Sequence, residues 1–265
     1  MKRLLKKGDG ILQNLNSSKY SVYVGSSEWI QIQDDAKNAE NSQDIDDILY
    51  GTINDRTIVI KFGGLEKSKH EYEIANLIKT CNGFVNYYSS FTCSNDLSVL
   101  FGEKAKRNVI LMPYYNMGSL ADFTWTSKNL LTLHSCLYAS CLAYIDAFLE
   151  KRFIHKKFHA GNIMLIGTNK HNHIYSKGIK VPIYSIEPLI CDFEDSIIGD
   201  GNPIEYENFK YDLGKLFLML PSFVPNIDLS RILNMATFIQ ITPDICSEDA
   251  RRQLGDAISA NIRLL

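Results

Sequence analysis

The run His155-Lys156-Lys157-Phe158-His159-Ala160-Gly161-Asn162 constrains this chain more than any other stretch, together with Asp192-Phe193-Glu194 thirty residues further on. A helical pattern precedes it from about Leu131 to Lys151, with apolar residues at Leu133, Leu137, Cys141, Tyr144, Ile145 and Phe148. Buried-strand patterns follow at Asn162 to Ile166 and at Leu189 to Phe193, separated by a polar stretch, Gly167 to Glu187, that reads as an extended hairpin. The back half is therefore helix, polar loop, strand, hairpin, strand. Asn162 and Asp192 offer oxygen donors, which suit a hard cation. His155 and His159 have the spacing of a helical metal pair, but no strand-borne third ligand accompanies them, so zinc is disfavoured. His155 also reads as a core histidine that buttresses the loop.

The front half is strand-rich. Ser27 to Gln33 alternates, and a polar, acidic stretch runs from Asp34 to Asp46. Asp47 to Ile53 and Thr57 to Phe62 are β-rich, with Asn54-Asp55 between them as a hairpin signal. Lys67 to Cys81 carries helical spacing through Tyr72, Leu77 and Ile78, and Asn82-Gly83 stops it. Val85 to Thr92 and Val109 to Tyr115 are strand candidates, and a helical region starts at Leu120 and breaks near Trp125. Phe209 to Leu220 is an apolar, central helix ended by Pro221 and Pro225, and one or two helices close the chain. Strands first and helices after predict an α+β protein.

The chain has 265 residues, which suits one fold of two lobes or two small domains. A net charge of −2 gives no reason to expect nucleic acid or an anionic membrane as partner. Six cysteines show no CxxC pairing, and several lie in apolar runs, which predicts buried free thiols in a reducing, cytoplasmic compartment. The opening MKRLLKKGDG is basic with a two-leucine apolar run, so it reads as a solvated tail and not as a signal peptide. No later segment is expected to be long and apolar enough to cross a bilayer.

Lys61 lies in TIVIKF, whose alternation sends Ile58, Ile60 and Phe62 one way and Val59 and Lys61 the other. Taken alone it reads as a lysine on the wet face of a strand. Glu71 and Glu73 on the next helix are both available to pair with it. The pair IVIK and EIANLI resembles the third-strand lysine of protein kinases and its helical glutamate partner. Counting back from Val85 favours Glu73, with Glu71 the alternative. NVILMPYYNMGSLADF is similar to the kinase hinge and the turn after it. The resemblance implies Met112 at the gatekeeper position, Tyr115 as the backbone donor to adenine and Asp122 as a ribose contact.

HKKFHAGN resembles the H-x-D-x-H-x-x-N catalytic loop of viral and bacterial kinase-like proteins, including small-molecule kinases of the choline and aminoglycoside type. The resemblance implies ATP and Mg²⁺ as cofactors, with Asn162 and Asp192 holding the metal, and His155, Lys157 and His159 in the catalytic loop. Asp212 matches the aspartate that braces this loop from below. The fold implied is a bilobal protein-kinase-like α+β domain over residues 1–265. Its N-lobe, about 15–114, is an antiparallel sheet plus one helix, and its C-lobe, about 118–265, is a reduced helical lobe.

Two departures from the pattern bear on activity. Lys157 stands where the catalytic aspartate belongs, and a protonated lysine accepts no proton from a hydroxyl. Between Ile32 and Leu49, where a phosphate-cradling loop belongs, the chain has DDAKNAENSQDIDD, without glycine and rich in acid. Asp192-Phe193-Glu194 also lacks the usual third-position glycine. About sixteen residues separate Asp192 from the central helix, and no A-P-E-like triplet appears among them. The expectation is a pseudokinase that binds or scaffolds an unidentified protein partner, holding ATP and Mg²⁺ weakly or not at all. The alternatives are an atypical Ser/Thr protein kinase and a small-molecule phosphotransferase. The small size is familiar among viral kinase-like proteins, for which the site of action is the host cytoplasm.

Overall fold

The computed structural model describes residues 23–24, 47–53, 56–93, 107–175, 178–223, 227–228 and 232–264. The strand expected at Ser27 to Gln33, the acidic stretch after it and the Asn54-Asp55 turn lie outside the described residues. The protein is mixed α+β, with small antiparallel sheets and several helices. It divides into two compact units, residues 1–76 with 86–114, and residues 77–85 with 115–265.

The first unit is built on a five-stranded sheet. Its strands are β1 (Tyr23–Val24), β2 (Asp47–Ile53), β3 (Arg56–Gly64), β4 (Ser89–Cys93) and β5 (Arg107–Pro113), in the order β1-β2-β3-β5-β4. Every neighbouring pair is antiparallel. β3 is central, and its period-2 alternation buries Ile58, Ile60 and Phe62 as expected. Helix α1 (Leu65–Ile78) follows β3 directly and buries Ser68, Glu71, Ile74, Ala75 and Ile78. It starts and ends earlier than the sequence pattern suggested. Beyond it, Gly83 sits at φ +83°, and a Cβ there would come within 2.5 Å of the Ala143 Cβ. Only glycine permits that approach, and it lets Gly83 and Val85 exchange backbone hydrogen bonds with Ile190 (2.8 and 2.9 Å). This docking explains why residues 77–85 belong with the second unit.

The second unit is organised around α2 (Leu130–Lys151). Its residues from Thr132 to Phe148 are buried with few exceptions. The segment Ser127–Lys151 is in fact long and apolar enough, by length and composition, to cross a membrane, contrary to expectation. Its most apolar window is 78% buried inside the protein, as a core helix requires. β6 (Phe153–Ile154) follows, then β7 (Ile163–Gly167), β8 (Asn172–Ile174), β9 (Lys180–Pro182), β10 (Ile186–Ile190) and β11 (Ile197–Ile198). β7 pairs with β10, β8 with β9 and β6 with β11, all antiparallel, so the expected hairpin between 167 and 187 is present. The second strand of the pair ends at Ile190 and not at Phe193, because Asp192 turns out of it at φ +65°.

The helical remainder is α3 (Pro203–Phe223), α4 (Leu233–Ile241) and α5 (Glu248–Asn261), with β12 (Ile227–Asp228) paired to β13 (Arg263–Leu264). α3 continues through Pro221 to Phe223. A proline in the last turn of a helix forfeits one bond and does not stop it there. The region after Leu120, expected as helix, is instead a turn. Asp122 accepts from the Ser119 N–H and hydroxyl (3.0 and 2.7 Å), with Gly118 at φ +72°. Serine and aspartate at that spacing offer the backbone a turn in place of a helix.

Candidate functional site

In the first unit, Lys61 is 6% exposed, far from the wet-face reading. Its ammonium meets Glu71 Oε2 at 2.9 Å, and Tyr87 Oη donates to Glu71 Oε1 at 2.6 Å. Glu71 is buried and Glu73 is exposed on α1, so the expected pairing with Glu73 is corrected to Glu71. The reason is helical phase. Glu71 shares its face with Ile74, Ala75 and Ile78, and Glu73 lies two residues round from it on the solvent side. Met112, half-buried on β5, is paired with Val59.

In the second unit, the loop from His155 to Phe158 hangs on one carboxylate and one phenol. Asp212 Oδ2 accepts from the Lys156 N–H at 2.6 Å, and its Oδ1 accepts from the Phe158 N–H at 3.2 Å. Tyr144 Oη donates to Asp212 Oδ2 at 2.7 Å and accepts from the His155 N–H at 3.0 Å. Burial, then the Asp212 charge, pushes the Tyr144 phenol well above its usual range, so the hydroxyl stays a donor. This lattice holds Lys156 in the left-handed region at φ +68°, a conformation that non-glycine residues adopt only when their surroundings impose it. Asp212 was legible as a brace. Tyr144 was legible only as one apolar position of α2, since nothing in a sequence says where its hydroxyl will point.

His155 is fully buried, and both its ring nitrogens are engaged. Nε2 contacts the Cys191 carbonyl at 2.8 Å and Nδ1 accepts from the Lys157 N–H at 3.3 Å, which assigns the neutral tautomer with its proton on Nε2. Burial lowers its pKa. A buried, doubly engaged ring cannot touch a substrate, so its place among the catalytic candidates is corrected to a positioning role. Ser196 Oγ donates to the His155 carbonyl at 3.2 Å and completes the bracing. His159 caps the short 3₁₀ turn Ala160–Asn162, its Nδ1 accepting from the Gly161 N–H at 3.2 Å, and burial lowers its pKa as well.

Lys157 is the most informative side chain. Its ammonium lies 2.8 Å from Glu194 Oε1 and 2.5 Å from Asp195 Oδ2. Hydrogen bonds to Asp195 and then Glu194 raise its pKa, so it is cationic throughout the physiological range. In the sequence, Glu194 and Asp195 are two adjacent acids after Asp192-Phe193. The structure makes them the anchors of the lysine, and the signal available beforehand was only that a cation and two adjacent carboxylates lie in neighbouring loops. The side chain of Lys157 is 44% exposed, so solvent screens these pairs, and their value is positional more than energetic.

Asn162 and Asp192 do converge. Asn162 Nδ2 donates to the Lys157 carbonyl at 3.0 Å and lies 3.4 Å from Asp192 Oδ2. Asp192 is fixed from both sides. Cys191 N–H donates to the Asn162 carbonyl at 3.0 Å, and Phe193 packs against Phe84, Phe153 and His155 with ring centroids 5.9–6.1 Å apart. An amide and a carboxylate so placed offer hard oxygen donors that fit Mg²⁺ and not a thiophilic ion. Among the described residues there is no group of three or more His, Cys, Asp and Glu side chains able to hold a metal. The turn carrying Asp122 docks beside this loop through Leu120 N–H to the Ile163 carbonyl (2.7 Å) and Ala121 N–H to the Ala160 carbonyl (3.3 Å). Asp122 itself is exposed and turned back on Ser119. Tyr115 is buried at the start of this unit, and its carbonyl accepts from the Gly118 N–H at 3.2 Å.

No protein-family model matches this chain, and no curated protein matches it by sequence.

Proposed function

We propose that this protein is a protein-kinase-like pseudokinase, with a sheet-bearing N-lobe and a reduced helical C-lobe, that acts by binding or scaffolding a protein partner. The observation that carries the reading is Lys157. It stands in the loop position that would need a proton-accepting carboxylate, and its ammonium is tied to Glu194 and Asp195. General-base assistance is worth about 10²–10⁴-fold to a phosphoryl or acyl transfer, and this loop has a cation in its place. Two other elements of the pattern remain, one in each unit. A buried lysine–glutamate pair (Lys61–Glu71) supports a phosphate-facing role for Lys61, and the Asn162–Asp192 pair supports residual Mg²⁺–nucleotide affinity. Met112, Tyr115 and Asp122 are the proposed nucleotide contacts, and the site of action is the cytoplasm, that of the host if the chain is viral.

The test has two arms. A thermal-shift titration with ATP and Mg²⁺ reports binding, with a small stabilisation expected that Lys61→Ala and Asp192→Ala each abolish. Incubation of the unmodified protein with labelled ATP reports chemistry, with no transfer to itself, to protein or to small alcohols expected. Turnover by the unmodified protein would remove the pseudokinase reading. Lys157→Asp restores the missing acceptor, and gain of autophosphorylation in that variant is the expected sign that the lost acceptor is what silences transfer.

A further inference from the structure

The face of α3 turned away from the core has a pattern that the site does not use. α3 buries Phe209, Leu213, Leu216, Phe217 and Leu220 on one side. On the other, Ile204, Tyr211 and Leu218 are 66%, 57% and 44% exposed. Single exposed apolar residues are ordinary on a protein surface. These three are not scattered. They recur every seven residues, so they stand in one line along the helix, over about 21 Å at 1.5 Å per residue. Ile241, the last residue of α4, is 71% exposed, and α4 meets α3 beside this face where Lys210 Nζ donates to the Gln240 carbonyl at 2.7 Å.

Charge decides what covers the line. Glu207, its side chain 66% exposed, and Lys215 lie four residues either side of Tyr211, as Ile204 and Leu218 lie seven either side. A second copy of α3 laid antiparallel, with the axis through Tyr211, sets each Ile204 level with a Leu218, each Glu207 level with a Lys215 across the contact line, and Tyr211 on Tyr211. A parallel copy would set Glu207 level with Glu207 and Lys215 level with Lys215. The surface is thus self-complementary about one point, as an isologous two-fold interface requires. Lys215 already stands 5.0 Å over the Tyr211 ring. Its ammonium also reaches the Lys156 carbonyl at 3.3 Å, which ties this face to the loop of the candidate site.

We propose that the chain pairs with a second copy of itself through α3, antiparallel, with Tyr211 on the two-fold axis. Three apolar side chains per copy make a small interface, so association falls in the micromolar range, about 1–100 µM. Sedimentation velocity on the full chain from about 1 to 200 µM spans that range. The expected result is a shift from monomer to dimer. Leu218→Arg raises the dissociation constant at least about tenfold. Glu207→Lys and Lys215→Glu each weaken pairing, and the double swap restores it. Tyr211→Cys gives a covalent dimer on mild oxidation that the unmodified chain does not. Glu207, Tyr211 and Leu218 are exposed and Lys215 is half-buried, and unchanged circular dichroism and melting verify that folding is not what changed. A chain monomeric throughout, a dimer indifferent to Leu218→Arg, or a double swap without rescue overturns the proposal.

Discussion

Replacing Tyr144 by phenylalanine removes one oxygen atom from the middle of the second unit and leaves the packing volume unchanged. The hydroxyl makes two buried contacts, donating to Asp212 at 2.7 Å and accepting from the His155 N–H at 3.0 Å. A buried N–H left without an acceptor costs about 1–3 kcal/mol, and a hydrogen bond to a charged group contributes about 1.5–3 kcal/mol. The ring still fills its site against Phe153, Phe158 and Phe209, so no cavity cost is added. Asp212 keeps the N–H groups of Lys156 and Phe158, which holds the total toward the lower end, about 3 kcal/mol. At about 2–4 °C per kcal/mol for a chain of this size, Tyr144→Phe lowers Tm by about 6–12 °C. Calorimetry measures that directly. Hydrogen exchange then localises it, with the amides of residues 155–158 losing more protection than those of α5, because the left-handed turn at Lys156 is held by this lattice. A loss under about 1 kcal/mol, the worth of one ordinary net hydrogen bond, would refute the assignment of Tyr144 as a support of the loop.

Other outcomes follow from the same geometry. Glu71→Gln takes the counter-charge from a buried lysine and costs about 3 kcal/mol, whereas Glu73→Gln on the exposed side of α1 stays within about 0.5 kcal/mol; equal losses in urea denaturation would sink the corrected pairing. Burial holds His134, His155 and His159 below the ordinary value of 6.5. The unfolded chain therefore binds more protons as acid is added, so stability is fully present above about pH 6.5 and is lost as pH falls through and below it. Melting followed from pH 7.5 to pH 5 should show a falling Tm, less steep in His155→Gln; a Tm that is flat or rises on acidification contradicts the buried-neutral assignment.

The order of elements was legible because it rests on local periodicity. Alternation in TIVIKF needed only a sheet with one dry face, and the apolar spacing of Leu133 to Phe148 needed only a helix with a core beside it. The turn at Ser119-Asp122 was misread because its apolar spacing fits a helix, while side chain to backbone bonds chose the turn. The candidate site was legible in part for the same reason. His155, Lys157, Asn162 and Asp192 sit in segments whose spacing is a motif, and they do come together in one unit.

The amino-acid order alone determined that a lysine stands at position 157, between the two histidines of the loop, since residue identity needs no coordinates. It also determined the strand-then-helix layout, because hydrophobic period is a property of neighbours in the chain. Only the tertiary structure decided which glutamate meets Lys61, which carboxylates hold Lys157, and that the Tyr144 hydroxyl and Asp212 suspend the loop between them. Those choices join residues 10 to 68 positions apart, and such pairs are selected by helix phase and packing direction, which no local pattern carries.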